Sequence, residues 1–142
     1  MQSTASAVWE GGLKDGKGRL TGGTGTFTDS PYTFAKRFES TGGGTTPEEL
    51  IAAAHSGCFA MALSGELGKA GFTATRLSVN ATVTLEPVDG KPTVSTSALE
   101  LTATIPGIDD AKFQEIAAAA KAGCPISRLL KANITLSTKL AG

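Results

Sequence analysis

Three side chains in this 142-residue sequence are of types that could do nucleophilic or redox chemistry: Cys58, Cys124 and His55. Cys124 stands directly before Pro125, which suits the first position of a helix, so Cys124 falls at an N-cap. Unpaired N–H groups and the positive dipole end there would hold a thiolate, lowering the thiol pKa from about 8.5. The same place suits a small core residue after a helix stop, and position alone leaves both readings open. Cys58 falls mid-helix between Gly57 and Phe59, where a cysteine usually serves as a small buried hydrophobe. His55, one turn earlier on roughly the same face, is the local candidate for a base. A single histidine on an apolar face is more often a satisfied structural residue. On pattern alone, Cys58 reads as inert.

The element that carries Cys58 has the clearest signals in the chain. Thr46 fits an N-cap, Pro47 the first helical position, and Glu49 the third, as a capping box requires. The helix should run to about Ala70, with Gly71 ending it. Leu50, Ala54, Cys58 and Met61 form one stripe, and Ile51, His55, Phe59 and Ala62 another beside it. A segment so apolar around its circumference, and so rich in Ala, Ser and Gly, suits a central helix packed closely on all sides, including against a second copy of itself.

Upstream, turn chemistry at Gly11-Gly12, Asp15-Gly16, Gly22-Gly23 and Ser30-Pro31 separates strand-like pieces. These are Ala7–Trp9, Gly18–Thr21, Gly25–Thr28 and Tyr32–Phe38. The glycine-rich stretches 21–26 and 40–45 lack the lysine of a phosphate loop, so they read as a hairpin turn and a linker. Downstream, Leu77, Val79, Ala81, Val83 and Leu85 alternate with polar residues, as do Leu99, Leu101, Ala103 and Ile105. The segment from Pro87 to Pro92, with Asp89-Gly90 inside, reads as their hairpin connection. Asp109 would cap a helix over Ala111–Ala122 closed by Gly123, Pro125 would open a short helix to about Lys131, and Ile134, Leu136 and Leu140 mark a last strand. The expected class is α+β, with antiparallel strands and a central helix in one domain over residues 1–142.

Bulk properties narrow the functions. Thirteen basic and thirteen acidic residues cancel, which gives no footprint for nucleic acid and no basic helix for a membrane surface. The start has no charged segment followed by an apolar run, and no apolar stretch is read as long enough to span a bilayer. A cytoplasmic, reducing location is the expectation, and a lasting structural disulfide is not expected there. Two distant cysteines with a single histidine supply too few ligands for zinc, so no metal is expected.

Two cysteine motifs give the chain a family resemblance. Thr46-Pro47-Glu48-Glu49-Leu50-Ile51-Ala52-Ala53-Ala54-His55-Ser56-Gly57-Cys58-Phe59 resembles the signature of the OsmC/Ohr family, and Ala120-Lys121-Ala122-Gly123-Cys124-Pro125-Ile126-Ser127 resembles its second cysteine motif. The segments at Tyr32–Glu39 and Ile105–Asp109 are similar to elements of the OsmC branch. Thr45-Thr46 departs from the asparagine that many members carry before Pro-Glu, and threonine caps a helix nearly as well. The resemblance implies an OsmC-like fold, with antiparallel sheets packed around a long central helix in an intertwined homodimer. It implies a thiol peroxidase that reduces organic hydroperoxides, with Cys58 as the peroxidatic and Cys124 as the resolving cysteine. Arg37 and Glu48 would be the polar pair beside the reactive thiol, and an external dithiol, in this family usually lipoyl, would replace any bound cofactor. Phe34, Phe38, Phe59 and Met61 would favour an alkyl or aryl hydroperoxide, against the plainer reading that they are core.

One geometric expectation concerns Glu48. It precedes Cys58 by ten positions, about 15 Å along a helix, so it should not touch Cys58 of its own chain. An antiparallel copy of the helix could bring a partner's Glu48 there. Without the family, Arg37 and Glu48 read as a strand-surface charge and a helix-start acid. The competing readings are a non-enzymatic redox-responsive or ligand-binding protein on this fold, a cysteine hydrolase using Cys58 and His55, and a structural domain with incidental thiols.

Overall fold

The computed structural model describes all residues, Met1–Gly142, and the chain divides into two compact units, Met1–Leu50 and Ile51–Gly142. The class is α+β. In the first unit, β1 (Ala5–Glu10), β2 (Lys17–Gly22) and β3 (Ser30–Tyr32) form an antiparallel sheet in that order. Gly18 pairs with both Trp9 and Tyr32 across this sheet. Their rings meet at 5.4 Å, and a Cβ on Gly18 would collide with both of them.

Two strand expectations fail here. Residues 25–28 are a turn, with Gly25 at φ 76 and the Gly22 N–H donating to the Phe27 carbonyl at 2.9 Å. The stretch Tyr32–Phe38 leaves the sheet after Tyr32 and becomes a helix, α1 (Phe34–Glu39). Thr33 is the reason, since its hydroxyl accepts from the Lys36 N–H at 3.1 Å and caps the first turn. Phe34 and Phe38 then stack one turn apart, with ring centroids at 4.8 Å, a spacing that suits a helix and not a strand.

Helix α2 (Pro47–Lys69) begins and ends as its sequence signals direct. The Glu49 N–H donates to the Thr46 hydroxyl at 3.0 Å. The carboxylate of Glu49 turns instead to the Thr45 hydroxyl at 2.6 Å, so only half of the capping box forms. At the far end, the Phe72 N–H reaches the Leu67 carbonyl and Gly71 N–H the Gly68 carbonyl, with Gly71 at φ 86. That is a Schellman stop, which needs a residue without a Cβ penalty in the left-handed region.

By length and composition α2 reaches what a membrane crossing needs, contrary to the expectation that no stretch would. Its apolar side is used inside the protein. His55, Phe59, Leu63 and Leu67, four residues apart in turn, are all fully buried. The three hydrophobic members join Leu99, Leu101, Phe113 and Ala117 in the core of the second unit, each worth about 1.5–3 kcal/mol of burial.

The second sheet is a long hairpin plus one strand. β4 (Arg76–Val88) and β5 (Lys91–Thr104) are antiparallel and joined by Asp89-Gly90 alone, both at positive φ, the geometry of a tight primed turn. Helices α3 (Asp110–Gly123) and α4 (Pro125–Leu129) follow, and Asp109 caps α3 by accepting from the Lys112 N–H at 2.8 Å. β6 (Asn133–Ala141) then pairs with β5 in parallel, an exception to the antiparallel pairing expected. The reason is connectivity: α3 and α4 form the crossover that a parallel neighbour requires.

Candidate active site

Cys58 and Cys124 meet inside the second unit. Cys58 lies one position before Phe59, at the edge of the buried stripe of α2, and it is half-buried. Cys124 ends α3 with its N–H on the Ala120 carbonyl, caps α4, and is fully buried. Both are free thiols, 66 positions apart in sequence, with their sulfurs 2.8 Å apart. That is inside non-bonded contact yet beyond the roughly 2.05 Å of a disulfide.

The environments of the two sulfurs differ. Burial pushes the Cys58 thiol up, and Cys124 adds to the rise as hydrogen-bond partner and as a charge, against the Ile126 N–H. Burial also pushes Cys124 up, but the Cys58 hydrogen bond, the N–H and hydroxyl of Ser127 and the Ile126 N–H outweigh it, so Cys124 is lowered. The proton in the 2.8 Å contact can sit on either sulfur, and the geometry drawn has Cys124 donating. Of the two sulfurs, Cys124 collects the more donors for a thiolate. As a neutral thiol Cys124 makes no capping bond of its own. Cys124 is lowered chiefly by the Cys58 hydrogen bond, with nearby amides and the Ser127 hydroxyl adding to it, and it is at the same time a fully buried core residue.

His55 is fully buried and has both ring nitrogens occupied. Nδ1 lies 2.6 Å from the Ser97 hydroxyl and Nε2 lies 2.8 Å from the Ser127 hydroxyl. Burial lowers its pKa, so the ring is neutral. The residue bridges α2, β5 and α4 and does not contact Cys58 as a base would.

Arg37 and Glu48 meet within the first unit, as the family pattern implies. Arg37 Nη2 donates to Glu48 Oε1 at 2.7 Å, and Nε donates to Oε1 and Oε2 at 3.1 and 3.3 Å. Glu48 is buried, so it fixes the plane of the guanidinium by a two-pronged contact. Arg37 is on α1, a helix and not a strand surface. It lines a cavity of about 240 Å³ together with Trp9, Leu13, Tyr32, Phe34 and Phe38, and its guanidinium lies 5.3 Å from the Phe38 ring centroid.

The four apolar candidates divide among three settings. Phe34 and Phe38 line that cavity. Phe59 is in the core of the second unit with no exposed surface, and Met61 is 78% exposed on α2. No group of three or more His, Cys, Asp or Glu side chains is disposed to hold a metal. Ser97, Ser127, Trp9 and Tyr32 are the site residues that sequence reading did not single out. Ser97 could have been found, since it continues the inward phase of Leu99, Leu101 and Ala103 as a polar residue.

Two free thiols in contact, Cys124 buried and Cys58 half-buried, are an arrangement suited to dithiol redox chemistry. Comparison places the protein more narrowly. The OsmC-like protein family model matches residues 40–139, and the chain belongs to that family. It is 48% identical to Peroxiredoxin OsmC of Escherichia coli over 134 residues, 94% of this chain and 93% of that protein. It is 30% identical to the organic hydroperoxide resistance protein of Xanthomonas axonopodis over 105 residues, 70% of this chain and 69% of that one. Among solved structures, OhrB of Bacillus subtilis superposes with a TM-score of 0.69 at 25% identity, covering 97% and 98% of the two chains. An organic hydroperoxide resistance protein from Elizabethkingia anophelis gives 0.70 at 25%, covering 100% and 98%.

Proposed function

We propose that the Cys58–Cys124 pair reduces organic hydroperoxides to alcohols. The chain is a peroxiredoxin-like, thiol-dependent enzyme, an antioxidant oxidoreductase of the stress-response kind, that takes electrons from an external reductant and not from a prosthetic group. The observation that carries the finer mechanism is the pair of free sulfurs at 2.8 Å, with Cys58 half-exposed and Cys124 buried. The exposed member meets the peroxide. Cys58 attacks the distal oxygen, the O–O bond breaks, the alcohol leaves with the thiol proton, and Cys58 becomes a sulfenic acid. Cys124 then attacks that sulfur and expels water, leaving a disulfide. An external dithiol, of the lipoyl type that the family uses, restores both thiols.

Within the second unit the thiolate-stabilising donors gather on Cys124, while burial and its neighbour disfavour a thiolate at Cys58, so Cys58 needs a cation to attack as thiolate. Arg37, held by Glu48, is the group assigned to that task. The reading has the two units working as one OsmC-like domain across residues 1–142, in a two-fold homodimer. Support for the dimer comes from α2, whose Ala53, Ala54 and Gly57 lie exposed along one side, small enough for an antiparallel copy to approach closely, with the apolar Met61 exposed beside them. Arg37→Met should leave the fold intact and slow sulfenic acid formation by roughly tenfold or more. The wild-type protein should sediment at twice its 14.4 kDa mass. An unchanged rate removes Arg37 from the reaction, and a fully active monomer removes the shared interface.

Phe34 and Phe38, beside Arg37 in an aromatic cavity, supply the surface that an alkyl or aryl hydroperoxide would use. A reducing, cytoplasmic location fits a disulfide that must be reopened at each turnover. The test is titration of reduced protein with cumene hydroperoxide, following free thiols and intact mass. Loss of both thiols with one equivalent, and a mass lower by two hydrogens, is the expected result. Thiols that stay free would leave the pair a structural feature.

A further inference from the structure

The hydroxyls on either side of His55 form a chain that ends at the resolving sulfur. His55 is neutral and has one ring proton, so only two arrangements satisfy both contacts. In the first, the Ser97 hydroxyl donates to Nδ1 at 2.6 Å and Nε2–H donates to the Ser127 oxygen at 2.8 Å. The Ser127 proton is then free to point elsewhere. In the second, Nδ1–H donates to Ser97, and Ser127 spends its single proton on Nε2. Ser127 is the third residue of the helix that Cys124 caps, so a proton not given to His55 has the Cys124 sulfur beside it.

We propose that Ser97 and His55 form a directed hydrogen-bond chain for Cys124, Ser97 holding Nε2–H on the Ser127 oxygen so that the Ser127 O–H is left for the Cys124 thiolate. Ser127 thus contacts a reacting atom, whereas His55 and Ser97 are positioning residues. The inference rests on the peroxidase reading and deepens it by naming what prepares the second step. In that step the Cys124 thiolate attacks the Cys58 sulfenic sulfur, the S–O bond breaks, and the departing hydroxide takes a proton from solvent, giving water. His55 stays neutral and in one tautomer throughout, in keeping with its burial. Cys124 is favoured as thiolate by the Ser127 hydroxyl among other donors. The titratable group in contact with Cys124 is Cys58, from α2. His55 faces it through Ser127, and Ser97 and the Ile126 N–H do not titrate.

The deciding measurement needs no peroxide. In the Cys58→Ser chain, thiolate absorbance of Cys124 is followed against pH, alone and with Ser127→Ala added. The midpoint should rise by about one pH unit, the size expected for one charge-assisted hydrogen bond, and Ser127→Thr should restore it. His55→Leu should raise it similarly and add little on top of Ser127→Ala, since both act on one proton. With both cysteines present, Ser127→Ala should close the disulfide roughly tenfold more slowly once sulfenic acid has formed. An unmoved midpoint in Ser127→Ala overturns the hydrogen-bond chain. A moved midpoint in a protein that never forms sulfenic acid leaves the hydrogen-bond chain standing and removes the peroxidase reading.

Discussion

Cys58→Ser should consume no measurable hydroperoxide, a loss of at least about three orders of magnitude, while the protein stays folded. The substitution is nearly isosteric at a half-buried position, so stability gives no reason for a large effect. The result is informative because the donors around the pair point the other way. Cys124 is the sulfur whose thiolate the surroundings favour, and thiolate character alone would nominate it as nucleophile. Access decides against it, because Cys124 has no exposed surface and a peroxide cannot approach its sulfur in line. Steady-state consumption of cumene hydroperoxide with a dithiol donor checks this. Activity that survives Cys58→Ser and disappears in Cys124→Ser would exchange the two roles.

Phe59→Ala should cost about 3–5 kcal/mol of stability, a large share of the 5–15 kcal/mol that holds a domain together. Phe59 is fully buried in the stripe that α2 turns to the core, beside Leu63 and Leu67. Removing its ring leaves a cavity that β5 and α3 cannot close without shifting. Denaturant unfolding monitored by circular dichroism reads the loss directly. A cost below 1 kcal/mol would mean that the ring is not packed as described, and it would return Phe59 to the candidates for substrate contact.

What could be read from the sequence follows from how local each signal is. The start of α2 was legible because Thr46, Pro47 and Glu49 act within one turn, and its end because Gly71 alone can take φ 86 cheaply. The Asp89-Gly90 hairpin and the Asp109 cap were legible for the same reason. The Tyr32–Phe38 segment misled because its aromatics suit a strand, while the decisive group was the Thr33 hydroxyl. The direction of β6 could not be read, since its pairing with β5 is settled by two intervening helices. The thiol pair was legible only as a resemblance. Nothing in the spacing of Cys58 and Cys124 brings them together, and it takes the packing of α2 against the α3–α4 junction to do so. The partners of His55 lay hidden for the same reason, 42 and 72 positions away.

The distance between the cysteines along the chain has an effect on the unfolded protein as well. A disulfide between them would close a loop of 66 residues, which removes about 4 kcal/mol of freedom from the disordered chain by the loop-entropy relation. The protein would therefore be harder to unfold after each encounter with peroxide than before it. Oxidative damage tends to expose and loosen proteins, and here the oxidised form would be the tethered one. A reductant that reopened the bond would return the chain to its less constrained state, so readiness for the next peroxide and maximal resistance to denaturation would belong to opposite halves of the same cycle.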